Sequence, residues 1–159
     1  MKKYHIIDNC KYLIISILII VCDQILKRYI IDNFKLGQSR EIIPGLLSFT
    51  YLRNTGAAWN LLAGKMNLFY LISILALIVV IYYLFSLKYS HRIFKFGLAM
   101  VLGGIVGNFI DRLIFKYVID MFDLDFINFN IFNIADSAIT VGIVLVFVYL
   151  IFFSEKEEK

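Results

Sequence analysis

Charge is scarce in this chain: Asp, Glu, Lys and Arg make up 18% of its 159 residues, against roughly 25% in a soluble globular domain. That shortage excludes a water-soluble fold, because 61% of the residues are hydrophobic and too few polar ones remain to cover them. Proline occurs once, which rules out a Pro-rich linker or recognition module, and 15 Phe with 10 Tyr rule out a disordered tail. The two cysteines, Cys10 and Cys22, lie on either side of the first apolar run without CxxC or metal-ligand spacing. They read as packing residues, with neither a disulfide framework nor a zinc site indicated. Basic residues outnumber acidic ones by 16 to 12. No basic block is interleaved with aromatics, however, so a nucleic-acid partner is not expected.

Long apolar runs are abundant. The clearest covers residues 66–87, is uncharged after Lys65, and suffices to cross about 30 Å of hydrocarbon. Three more spans are expected over about 12–31, 93–112 and 136–153, each polar at one end. The opening Lys2 and Lys3 imitate a signal peptide, but the run continues into Asp23, Lys27 and Arg28 with no small-x-small cleavage site, so it reads as a retained helix. Four spans of about 20 residues occupy about half of the chain and leave no room for a second domain. We therefore expect a single membrane-embedded domain over 1–159. Between the first two spans, 35–53 contains Pro44, Gly45 and a β-branched and aromatic stretch, the pattern of a small sheet at the membrane surface.

Successive spans run in opposite directions, so the late ends of the first and third, the approach to the second and the start of the fourth face one side. Every unusual polar residue gathers there. Counting Lys and Arg does not orient the bundle, since each side holds eight; net charge, +4 on the side of the termini and zero on the other, weakly favours cytoplasmic termini.

Each polar cluster has a plain structural reading beside a functional one. Asp23 and Lys27, at i and i+4, read first as an ion pair snorkelling to the interface. The run from Arg53 through Asn54, Thr55, Gly56, Ala57 and Ala58 to Trp59 fits a turn with an aromatic anchor. It equally fits a place where a substrate backbone approaches Gly56 while Asn54 offers a donor and an acceptor. Gly103 and Gly107 form a GxxxG packing surface, and Asn108, Asp111 and Arg112 share one helix face able to carry a buried network. Asn133 suits an N-cap with Asp136 in the first helical turn, which explains one acid and leaves Asp120 unexplained.

Two carboxyl groups brought together in low dielectric cannot both ionise, and such a pair can activate water and protonate a leaving group. Rival hydrolytic chemistries lack parts: there is no HExxH, and neither His5 nor His91 lies on the polar side. A proton relay or transporter would distribute acids through the membrane depth, whereas the second and fourth spans are uncharged through their middles. A noncatalytic assembly factor built on the GxxxG surface would tolerate loss of Asp120.

Asp23-Gln24-x-x-Lys27, Asn54-x-Gly56-Ala57-Ala58-Trp59, Gly107-Asn108-x-x-Asp111-Arg112, Val118-Ile119-Asp120 and Phe132-Asn133-x-Ala135-Asp136-Ser137 together resemble the lipoprotein signal peptidases, or signal peptidase II. Order and spacing match across nearly the whole chain, with Ile119 and Met121 as mild departures from the usual V-V-D-F. The resemblance implies an all-α membrane protein of four transmembrane helices with a small extracytoplasmic β-cradle between the first two. It implies a cofactor-free aspartic endopeptidase of the bacterial cytoplasmic (inner) membrane that cuts prolipoproteins just before a diacylglyceryl-modified cysteine.

By the same resemblance Asp120 and Asp136 are the catalytic pair, while Asp23, Lys27, Asn54, Gly56, Asn108, Asp111, Arg112 and Asn133 line or support the pocket. No metal is expected. The expected partners are diacylglyceryl-prolipoproteins and membrane lipids, met by a monomer with cytoplasmic termini and an active site near the extracytoplasmic face. No lipobox precedes Cys10 or Cys22, so the chain is not itself such a substrate.

Overall fold

A computed structural model describes residues 2–56, 64–86 and 91–154, with side chains from residue 9 onward. Among the described residues there are four helices: α1 (Lys2–Asn33), α2 (Met66–Phe85), α3 (Arg92–Phe115) and α4 (Ile134–Phe152). By length and composition α2, α3 and α4 can cross a membrane. The helix at 12–31 is longer than expected: α1 has 32 residues, about 48 Å at 1.5 Å per residue. Ala57, Ala58 and Trp59, the side chain of His5 and the tail 155–159 lie outside the described residues.

Helix α3 occupies the centre and contacts each of the other three helices. Small residues allow that. A Cβ on Gly97 would stand 2.7 Å from the carbonyl oxygen of Gly142, one on Gly107 would stand 2.8 Å from the Asp23 carboxylate, and one on Gly104 would collide with the carbonyl of Ala135. The expected GxxxG surface is therefore real, and α4 as well as α1 uses it. Leu84, Phe94, Leu98, Leu102 and Tyr149 fill the bundle interior, while Ile17, Leu18, Leu71, Ile78, Val144 and Phe147 point outward as lipid-facing side chains do. Cys10 and Cys22 are on that outer surface. The expectation that they are packing residues fails, because both lie on the exposed side of α1.

The surface sheet has three antiparallel strands in the order β1 (Ser39–Ile43), β2 (Leu47–Asn54) and β3 (Val118–Leu124). Gly45, at φ 68°, makes the turn between the first two. The third strand, unforeseen from the sequence, begins directly after α3, whose helical path ends at Lys116 in the left-handed conformation. Along β3 the side chains alternate. Ile119 and Met121 are buried with Ile30, Phe34 and Tyr51, whereas Val118 and Asp120 line a cavity on the opposite face.

Candidate active site

Asp23 and Asp111 are fully buried, and both pair with the equally buried Lys27, at 2.8 and 2.9 Å. The snorkelling arrangement of Asp23 and Lys27 is thus replaced by a cluster of two carboxyl groups about one ammonium, turned into the bundle. Such burial is stable only when the remaining lone pairs are used, and each acid uses one to hold a neighbouring element. Asp111 Oδ2 accepts the backbone N–H of Ile119 on β3 at 3.0 Å, and Asp23 Oδ1 accepts that of Ala135 on α4 at 3.0 Å. Ile119 precedes Asp120 and Ala135 precedes Asp136. One buried cluster therefore fixes the two elements that carry these acids.

The amide orientations follow from the cluster. The Lys27 ammonium can only donate, so Asn108 turns Oδ1 toward it at 3.0 Å, and its Nδ2 then donates to Asp136 Oδ1 at 2.7 Å. Asn133 caps α4: its Oδ1 accepts the backbone N–H of Asp136 at 2.8 Å, while Asp136 Oδ2 accepts the backbone N–H of Asn133 at 3.2 Å. The Asn133 Nδ2 left over donates to Asp120 Oδ1 at 2.7 Å and to Asn108 Oδ1 at 3.1 Å. At the end of β2, Asn54 donates to Asp120 Oδ2 at 3.1 Å and accepts the backbone N–H of Gly56 at 2.9 Å.

Asp120 and Asp136 thus share Asn133 as a common partner, and both line one cavity of about 1060 Å³. Burial, and then the neighbouring charge of Asp136, push the Asp120 carboxyl up to about 7. Asn108 and Asn54 also line this cavity, with Gly56 beside them. Arg112 lines it without entering the hydrogen-bond network described above; its guanidinium sits 4.9 Å from the Phe69 ring centroid. The expected face shared by Asn108, Asp111 and Arg112 divides accordingly, into two network members and one wall residue.

Two contributors were missed as individual site residues. Gln24 donates to Asp111 Oδ1 at 2.9 Å and to the carbonyl of Gly107 at 3.1 Å; its place between Asp23 and Lys27, directly after the uncharged run 12–22, was the available signal. Asn130 lines the cavity from the β3–α4 connection, and its signal was the interleaving of Asn128, Asn130 and Asn133 with Phe and Ile. Groups of three or more metal-ligating side chains are absent among the described residues.

The family model described as Signal peptidase (SPase) II matches residues 15–152. A lipoprotein signal peptidase of Lactobacillus johnsonii is 70% identical over 146 residues, covering 92% of this chain and 95% of the relative. One from Enterococcus faecalis is 49% identical over 149 residues, covering 93% and 91%. A solved bacterial membrane enzyme, determined by the in meso method at 2.3 Å resolution, superposes with a TM-score of 0.85 at 36% identity, covering 89% of this chain and 87% of its own. A second, determined at 1.9 Å, gives a TM-score of 0.83 at 35% identity, covering 90% and 94%. The chain belongs to the signal peptidase (SPase) II family and is a multi-pass membrane peptidase.

Proposed function

We propose that this peptidase removes signal peptides from prolipoproteins by cutting on the N-terminal side of the diacylglyceryl-modified cysteine, with Asp120 and Asp136 acting together on one water. The observation that carries this reading is the Asn133 bridge: carboxylates from β3 and from the first turn of α4 bond to the same residue and open on the same cavity. Asp120, pushed up to about 7, holds the shared proton. Asp136, fixed by donors from Asn108 and Asn133, takes a proton from water as its oxygen attacks the scissile carbonyl carbon. Asp120 polarises the carbonyl oxygen. On collapse of the tetrahedral intermediate a proton passes to the departing cysteine nitrogen.

In this reading Asp23, Lys27, Asn54, Gly56, Asn108, Asp111, Arg112 and Asn133 line or support the pocket of one domain over 1–159. Helix α1 is the fourth span, supported by the apolar outer face of Ile14, Ile17, Leu18, Val21 and Ile25. The chain works as a monomer without cofactor, with cytoplasmic termini and the site at the extracytoplasmic interface. A lipidated peptide presents its scissile bond at that depth, where water still enters.

The test is cleavage of a synthetic diacylated prolipoprotein by the purified chain in detergent, followed by mass spectrometry. The wild type should release a free amino group on the lipidated cysteine, and folded Asp120→Asn and Asp136→Asn should not. Normal processing by either variant overturns the assignment.

A further inference from the structure

Between β3 and α4, Phe132 pairs with Phe122 through backbone hydrogen bonds of 2.8 and 3.1 Å, one in each direction. The pairing stops there. The backbone N–H and C=O groups of Asn130 and Ile131 make no hydrogen bond to a described residue, although both residues line the cavity holding Asp120 and Asp136. The Asn130 side chain shares that condition: its Nδ2 is buried and has no partner among the described residues. Other amides nearby are fully employed, as Asn54, Asn108 and Asn133 illustrate.

A buried polar group without a partner, such as this Nδ2, is costly until something satisfies it, and the unpaired backbone groups of the half-buried Asn130 and Ile131 are open to the same partner. A ligand that offers N–H and C=O groups in alternation is an extended peptide, which recognises an open backbone edge by strand addition. A carboxamide, carrying one donor side and one acceptor side, matches a single peptide unit. We propose that residues 130 and 131 form the edge on which the substrate backbone pairs, with Asn130 as a positioning residue that hydrogen-bonds one peptide unit beside the scissile bond. This rests on the peptidase reading above and extends it from the reacting atoms to the register of the substrate.

The test is a cycle between enzyme and substrate. Full-length wild type and Asn130→Leu cleave synthetic diacylated substrates in which one peptide bond near the scissile amide, never the scissile amide itself, is replaced by an ester. An ester removes the N–H and weakens the carbonyl as an acceptor. With wild type, one ester position should raise KM about three- to tenfold with kcat nearly unchanged. With Asn130→Leu, the all-amide substrate should already show that rise and the ester should add nothing. Each enzyme is its own reference, so a reduced folded fraction does not mimic coupling, and Asn130→Ala serves the same cycle if the leucine does not fold. Equal ester penalties in both enzymes at every position overturn the inference. If Asp120→Asn and Asp136→Asn are inactive while the penalties stay additive, this inference alone falls; if those variants cleave, the peptidase dyad falls first.

Discussion

Lys27 and Lys95 are each about 1% exposed, yet they stabilise opposite ends of the bundle by different means. Lys95 donates to the carbonyls of Tyr83, Leu84 and Ser86 at 3.0, 2.6 and 2.7 Å, closing the C-terminal end of α2 with a positive charge. Lys27 is held by two carboxylates and an amide oxygen. The first arrangement ties a helix end to its neighbour. The second orients Asn108, and through Asn108 it aims a donor at Asp136. Burial alone therefore does not identify a functional lysine; what its partners hold does.

Lys27→Met should break the comparison most severely. Removing one member of a buried ionic cluster leaves Asp23 and Asp111 uncompensated, at about 3–5 kcal/mol, and frees Asn108 to rotate. Cleavage should fall to background even in the fraction that remains folded, as checked by activity per folded molecule after size exclusion. Lys95→Met should cost about 1–3 kcal/mol through unsatisfied carbonyls, lowering the melting temperature in detergent while activity per folded molecule stays near wild type. Equal losses of specific activity in the two variants would erase the distinction.

A smaller effect concerns pH. Asp120 has its pKa raised from 3.8 to about 7, so the folded state binds this proton more tightly than the unfolded chain does. That contribution to stability is complete below pH 3.8 and is lost as pH rises through about 7. The melting temperature of Asp120→Asn should therefore gain on wild type from about pH 4 up to about pH 7 and run parallel to it above. Wild-type kcat/KM should fall to half its plateau near pH 7 as the acid form of Asp120 is lost. A flat profile through neutrality would remove the proton from Asp120.

Much of the architecture was legible because lipid-facing helices announce themselves as apolar runs: α2, α3 and α4 lie within a few residues of 66–87, 93–112 and 136–153. The third strand was not legible. In Val118–Leu124 both faces are covered, one by the cluster around Ile30 and Tyr51 and the other by the cavity wall, so hydrophobicity shows little alternation. The pairing of β3 with β2, from Leu47↔Leu124 to Asn54↔Val118, joins residues far apart in sequence and has no local signal.

The site residues were legible as types and spacings, but their division of labour was not. Nothing in Asp23-x-x-x-Lys27 announces that Asp23 holds the first turn of α4, or that Asp111 holds the backbone of β3. Those roles follow from one helix-to-helix and one helix-to-sheet contact that only the folded chain defines. The cysteines misled because a helix of this hydrophobicity carries no internal mark distinguishing its lipid face from its packed face.

The measurement that tests the central claim most directly is the initial cleavage rate of a diacylated prolipoprotein by Asp120→Asn, Asp136→Asn and the double variant, each shown to be folded. If the two carboxyl groups work as one acid–base unit, each single variant should lose about 10³-fold or more and the double variant should be no slower than either. Losses that multiply in the double variant, or near-normal cleavage by one single variant, would show that the aspartates act independently and contradict the account.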